Sequence, residues 1–434
     1  MRVDGGLDDH LLDPVVGAAL GWRSDDVRAS RPVASRPLSP LVRAGVAVSV
    51  LISIVGSVGW TVHRQQVDFL VYLMGARHLA SAELYHLYLH GPHLPFTYPP
   101  FSTLFFWPLT LVPTGLGAVL WSLVNLGALA VIIAVSLLHV RPDVGGDAPR
   151  VPWAMVGMLL GPAVLLEPVM LDLSYGQVNL VLVALVLVDA TTIIRVGERT
   201  LPRGIGIGLA AAIKLVPLIF VPFLIVTRQY RAARTAVLTA GAGTLAAFLI
   251  NPSASAAFWS TYVADQKRIG NVTYVSNQSL EGTLARVAHH VWRTRDMVSV
   301  QALVVLAGLA LAWWAWRTSS TVLAVLVVGD TGLLASPITW AHHMVWVVAV
   351  LVWLWWGADR PRWGRRYAVG AAALFYVAPM WLVAHGPRFD SREHGWVLLA
   401  TSSFTLAALI FLGGVALLLV GRHREPSRRV ARLS

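Results

Sequence analysis

The chain has 434 residues, of which 56% are hydrophobic and only 13% charged, with a mean hydropathy of +0.65. A soluble protein carries about twice that share of charge, so a soluble enzyme, a disordered chain and a disulfide scaffold are all excluded. The formal charge is +12, but the basic residues sit in short loops between apolar runs, where membrane orientation accounts for them and nucleic-acid binding does not.

Residues 1–40 are polar and mixed in charge, carrying Arg28, Arg31 and Arg36 among prolines, and are expected to form a disordered cytoplasmic tail. The run Ala44–Val62 is deeply placed and lacks a cleavage pattern, so it reads as an anchored span. Further apolar runs occupy 115–140, 151–171, 178–194, 234–250, 298–316, 320–336, 340–357, 365–384 and 396–420. Two more are ambiguous. Pro100–Val112 is short and bracketed by prolines, and Ile205–Val226 is interrupted by Lys214, Pro217 and Pro222. Arginines at 141/150, 195/199/203, 228/231/234 and 360/362/365/366 all favour the cytoplasm. Ten spans satisfy them if both ambiguous runs enter and leave on one side; twelve result if both cross. The expectation is an all-α polytopic membrane protein with 10–12 transmembrane or re-entrant helices. Residues 41–420 form the membrane-embedded domain, 421–434 a basic cytoplasmic tail, and loops 63–99, 251–297 and 385–396 face the exterior.

The first of these loops contains Gln65-Gln66-Val67-Asp68-Phe69-Leu70-Val71-Tyr72 and then a stretch to His90 compatible with helix. Phe69, Tyr72, Leu73, Ala76, Leu79 and Ala80 recur at helical spacing, which predicts an amphipathic helix along the membrane surface. Asp68 is either the N-cap of that helix or a partly desolvated general base acting on a sugar hydroxyl. No Asp-x-Asp pair lies in any external loop, which argues against a metal-dependent transferase site.

Several motifs recur in order across residues 65–345. They are Asp68-Phe-Leu-Val-Tyr72, Leu84-Tyr85, Leu94-Pro-Phe-Thr-Tyr-Pro-Pro100, Gly176-Gln-Val-Asn179, Ala212-Ile-Lys-Leu-Val-Pro217, Asn277-Gln-Ser-Leu280 and Ser336-Pro-Ile-Thr-Trp-Ala-His-His343. Together they resemble glycosyltransferase family 87, polyprenyl-phosphate-mannose-dependent α-1,2-mannosyltransferases. The resemblance implies the C-type glycosyltransferase fold, with a catalytic aspartate at Asp68 and a functional histidine at His342 or His343. It also implies a polyprenyl-phosphate mannose donor, a mannosylated glycolipid acceptor such as a phosphatidylinositol mannoside or a lipoarabinomannan, and no cofactor. Ala341 departs from the polar residue expected before the histidines.

Charges inside apolar runs are costly and therefore informative. Lys214 is expected either to neutralise a lipid phosphate or, alternatively, to snorkel or to pair with a nearby acid such as Glu167. The turn from Glu167 through Asp172 to Gln177 and Asn179 either lines a polar pocket or satisfies freed backbone. Asp189 and Asp330 read as structural partners. Tyr72, Arg77, Tyr98, Asn277 and Gln278 complete the substrate-binding candidates. No metal site is expected, since adjacent histidines point to different helix faces. A lipid-linked-sugar flippase and a C-type transferase of another sugar are the rival functions.

Overall fold

The computed structural model describes residues 39–64, 66–140, 151–192, 195–196, 199–386 and 393–430. The expected tail 1–40 therefore lies almost wholly outside the described residues. In chain order the helices are α1 Pro40–Arg64, α2 Val67–Arg77, α3 Phe101–Phe106, α4 Thr114–Val140, α5 Trp153–Val164, α6 Glu167–Tyr175 and α7 Asn179–Thr191. Then follow α8 Ile205–Ile213, α9 Phe220–Val226, α10 Tyr230–Ile250, α11 Pro252–Ser260, α12 Leu280–Ala288 and α13 Thr294–Thr318. The last are α14 Thr321–Ala335, α15 Val347–Trp356, α16 Gly364–Val377, α17 Trp396–Thr401 and α18 Ser403–Val430. Among the described residues, strands amount to two short hairpins, Tyr88–Leu89 with Leu94–Pro95 and Arg195–Val196 with Arg199–Thr200. The all-α membrane architecture is thus as expected.

Among the described residues, five helices are continuous, apolar and long enough to cross a membrane: the windows Pro40–Gly59, Thr114–Val140, Tyr230–Ile250, Arg295–Thr318 and Ser403–His423. The expected span 151–171 is instead two helices, α5 and α6, bent by 82°. Pro162 lies inside α5 and has no N–H to give the carbonyl of Met158. The Ser49 hydroxyl on α1 supplies the missing donor at 3.0 Å and accepts the Gly161 N–H at 2.7 Å. Both ambiguous runs are also broken. In 205–226, α8 stops at Ile213, Lys214 is extended, and a 3₁₀ turn over Val216–Ile219 precedes α9. The cause is Pro217, which removes the donor that would bond the Ile213 carbonyl.

Helices α7 and α14 have 13 and 15 residues, giving lengths of about 20 Å, short of a ~30 Å hydrocarbon layer. Burial explains how such short helices are stable here. Val322–Leu334 of α14 are all buried, so the irregular backbone at their ends meets protein or a cavity, not lipid. Near the opposite end of α7, both carboxylate oxygens of Asp189 accept the Gly204 N–H, at 2.8 and 2.9 Å, and Oδ2 also takes the Ile207 N–H at 3.1 Å. Asp189 thereby caps α8.

Helix α2 differs from the sequence expectation in two ways. It ends at Arg77, leaving Leu79 and Ala80 outside, because Asn251 draws the next turn away by donating to the carbonyls of Leu79 and Ser81 at 3.0 and 2.8 Å. Nor is it a surface helix: Phe69, Val71, Tyr72, Leu73, Gly75 and Ala76 are buried, and its apolar side chains pack against protein. The run 396–420 is likewise divided at Ser402, between α17 and α18. Gln278 occupies that break. Its Oε1 accepts the N–H groups of Phe404 and Thr405 at 3.1 and 3.2 Å, and its Nε2 donates to the Thr401 carbonyl at 2.7 Å. One amide thus caps α18 and closes α17. Helix α18 continues to Val430, so most of 421–434 is helical.

Candidate active site

Helix α2 begins at Gln66, whose backbone is left-handed (φ 42°). The strain is held by its side chain, which donates to Ser122 Oγ at 2.7 Å and the Leu173 carbonyl at 3.2 Å. Gln66, not Asp68, occupies the N-cap position. Asp68 sits in the first helical turn, where the unbonded N–H groups favour a carboxylate, and it lines a cavity of about 400 Å³.

A second turn meets it. Helix α6 ends at Gly176 with φ 68°, and the Gln177 N–H returns to the Asp172 carbonyl at 2.8 Å. A Cβ at Gly176 would lie 2.7 Å from Phe69 Cβ, so α2 presses on this turn as closely as glycine allows. Two amides leave it in different directions. Gln177 Nε2 donates to Asp68 Oδ2 at 2.9 Å, and Gln177 Oε1 accepts the Tyr72 hydroxyl at 2.8 Å, which fixes the amide with its N–H toward the carboxylate. Asn179 Nδ2 donates to Asp172 Oδ1 at 2.7 Å, and its Oδ1 accepts Lys214 Nζ at 2.9 Å.

The Lys214 ammonium also donates to His343 Nε2, 3.1 Å away. His342 turns elsewhere. Its ring stands 85° to that of His343 and packs edge-on against Tyr175. Although His342 is buried, neither ring nitrogen has a hydrogen-bond partner among the described residues, and it lines the same cavity as Asp68, Gln177, Lys214 and Tyr98. Below Lys214 and His343 a smaller apolar crevice runs between Leu182, Val183, Phe220 and Trp346.

Burial pushes the Asp68 carboxyl up to about 6, opposed by the Gln177 hydrogen bond and by the charge of Lys214. Near neutrality Asp68 is therefore an ionised carboxylate that is basic enough to take a proton. Burial and the adjacent Asp68 charge push the Tyr98 phenol upward, so it stays protonated and can donate. The cavity thus combines a poised base, an ammonium at hydrogen-bonding distance of a histidine, and hydroxyl and amide donors. That set suits displacement at a carbon bearing an anionic leaving group.

A family model described as glycosyltransferase family 87 matches residues 96–337. Over 426 residues the chain is 32% identical to a Mycobacterium tuberculosis protein named polyprenol-phosphate-mannose-dependent alpha-(1-2)-phosphatidylinositol pentamannoside mannosyltransferase, covering 94% of this chain and 96% of that one. The chain belongs to glycosyltransferase family 87. A Mycolicibacterium smegmatis relative, named polyprenol-phosphate-mannose-dependent alpha-(1-2)-phosphatidylinositol mannoside mannosyltransferase, is also 32% identical, over 68% of this chain and 71% of its own. No solved structure gives a significant match. As a family 87 member the protein is a membrane-embedded glycosyltransferase of C-type fold.

The site residues expected from the sequence divide into two groups. Asp68, Tyr98, Gln177, Lys214, His342 and His343 line the cavity; Asn179 lines the adjoining crevice, and Tyr72 supports Gln177 from behind. Beyond Tyr72, four further candidates line neither the cavity nor the crevice. Arg77 bonds Thr114 Oγ1 at 2.9 Å. Glu167 accepts the Trp381 indole N–H at 2.5 Å and leaves Lys214 to Asn179. Gln278 caps α18, as described. Asn277 is wholly buried; its Oδ1 accepts the Thr339 N–H at 2.9 Å and its Nδ2 donates to the Val272 carbonyl at 2.8 Å, which fixes the Pro337–Trp340 segment. Asn277 and Gln278 thus serve backbone groups at helix breaks, whereas Arg77 and Glu167 each bond another side chain.

The cavity wall formed by Tyr262, Asp265, Arg268 and Trp340 is legible in sequence only in outline: loop 251–297 reads as able to grip phosphates and sugar hydroxyls, and Trp340 as a stacking surface beside the histidines. Its first three members lie in a loop with no periodicity to mark it. Asp172, part of the expected polar turn, bonds Asn179 and does not line the cavity. It lies five residues before Gln177 near the end of an apolar run, a position where a buried acid needs a partner.

Proposed function

We propose that the protein transfers mannose from polyprenyl-phosphate mannose to the 2-hydroxyl of a mannose on a phosphatidylinositol mannoside or related lipoglycan. The reaction is taken to occur on the external face of the plasma membrane, with both termini cytoplasmic. The observation carrying this reading is the pairing, in one cavity, of the Asp68 carboxylate with the Lys214 ammonium, each held by its own amide from the 177–179 turn. The printed names of the relatives supply the sugar, the donor and the acceptor class.

In this scheme the acceptor oxygen attacks the anomeric carbon in one displacement. Its proton passes to Asp68, while the bond from the anomeric carbon to the phosphate oxygen breaks and its electron pair leaves with the polyprenyl phosphate. Lys214, supported by His343, offsets the charge that develops there. A β-linked donor gives an α-1,2 product by inversion. The apolar crevice beneath Lys214 and His343 suits the prenyl chain, so a phosphate at the ammonium and a chain in the bundle belong to one lipid.

The test is incubation of the purified protein with radiolabelled polyprenyl-phosphate mannose and a phosphatidylinositol mannoside. Label released from the product by an α-1,2-mannosidase is the expected result. Movement of donor between leaflets without bond formation, or transfer only from a donor of another sugar, overturns the reading.

A further inference from the structure

The catalytic groups occupy one side of the cavity wall, contributed by α2, the 177–179 turn and Lys214. The loop between α11 and α12 and the segment before the two histidines contribute another part, with Asp265 and Trp340. The catalytic scheme uses neither residue. Trp340 is fixed by its surroundings. Its backbone forms an antiparallel bridge with Asn277, and Tyr274 packs against the indole with ring centroids 5.9 Å apart. Gly270 (φ 149°) approaches so closely that a Cβ there would lie 2.7 Å from Trp340 Cζ2. Despite this support the indole is half-buried and lines the cavity. Its N–H takes no acceptor, and the Asp265 carboxylate no donor, among the described residues.

A rigid aromatic face whose indole N–H has no protein acceptor, on a cavity that also presents a carboxylate without a donor, is a hexose-binding arrangement. The ring covers the C–H face of the sugar, and the carboxylate accepts from two hydroxyls. The other candidate occupant, the anionic donor phosphate, is served by Lys214, and the guanidinium on this part of the wall, Arg268, is engaged with the Tyr85 carbonyl and the Tyr262 ring. We infer that Trp340 and Asp265 form the acceptor subsite, binding the terminal hexose of the acceptor glycolipid and presenting its hydroxyl to Asp68. This rests on the mannosyltransfer reading above and adds where the acceptor sugar sits. Gly270 is then a positioning residue, acting through the ring it supports.

The experiment measures transfer with the donor and acceptor concentrations varied separately, in the full-length protein and in Trp340→Ala, Trp340→Phe, Asp265→Ala and Asp265→Asn. Trp340→Ala and Asp265→Ala should each raise the acceptor KM by about tenfold, equivalent to ~1.4 kcal/mol, with the donor KM little changed. Trp340→Phe, which keeps a ring in the same slot, should recover most of the loss, and it carries the test if Trp340→Ala fails to fold. A parallel rise in the donor KM overturns the assignment, as does a fall in kcat with the acceptor KM unchanged. If the wild-type protein transfers no mannose, the mannosyltransfer reading itself fails, an outcome distinct from a wrong subsite.

Discussion

Gln177 and Asn179, two residues apart in one turn, hold the two opposite charges of the site: Gln177 bonds the Asp68 carboxylate at 2.9 Å and Asn179 the Lys214 ammonium at 2.9 Å. Base and cation are kept in one cavity without an ion pair of their own. Direct contact would hold Asp68 ionised but make it a poor base, and would occupy the ammonium that a phosphate needs.

Asp68→Asn keeps the shape of the side chain and the cavity but removes the base. Transfer should fall by about 10²–10⁴-fold, the usual worth of a positioned base, while the purified protein elutes and melts like wild type. Near-normal turnover would remove Asp68 from the mechanism.

The rate of transfer should rise with pH through about 6, because Asp68 must be ionised to accept a proton. The Gln177 hydrogen bond favours the carboxylate, so Gln177→Leu should move that inflection upward. The pH profile of kcat/KM at saturating donor checks this; an unshifted inflection in the variant would mean that another group sets the acid limb.

Lys214→Met should lower kcat by about 10²–10³-fold, the order found when one donor to a developing oxyanion is removed. Lys214→Arg should recover little, since the ammonium fits between Asn179 Oδ1 and His343 Nε2 at 2.9 and 3.1 Å and a planar guanidinium is not its equivalent. Steady-state kinetics of the two variants decide the point. Full activity in Lys214→Arg would show that charge alone suffices.

The membrane class was legible because apolar runs of span length leave composition few alternatives. Asp68 and Lys214 stood out because an isolated charge among apolar residues has to be explained. Asn277 and Gln278 could not be told from wall residues by sequence, because a polar side chain at a helix break looks the same whether it faces a sugar or a backbone carbonyl; Arg77 and Glu167 meet the side chains of Thr114 and Trp381, which no local pattern pairs with them. Helix α2 was misjudged because a surface helix and one roofed by its own protein can share the same apolar spacing. The bend between α5 and α6 was foreshadowed only by Pro162, whose freed carbonyl needed a partner 109 residues away in sequence.

Arg286 and Glu393 form an ion pair whose side chains are 0% and 1% exposed, with Arg286 also donating to the carbonyls of Asn277 and Thr401. Removing one buried partner strands the other, so Arg286→Met should destabilise the protein by about 3–5 kcal/mol. The double variant Arg286→Met/Glu393→Gln should recover part of that. Thermal unfolding in detergent measures both; equal melting of all three proteins would mean that the pair is dispensable.

The amide of Gln278 finds its partners at Thr401, Phe404 and Thr405, more than 120 residues further along the chain. Every residue lining the cavity precedes position 344. A ribosome therefore completes the catalytic inventory well before the peptide that buttresses it. Gln278, next to the Asn277 that bridges Trp340, thus ties the region behind the cavity to a segment synthesised after every lining residue.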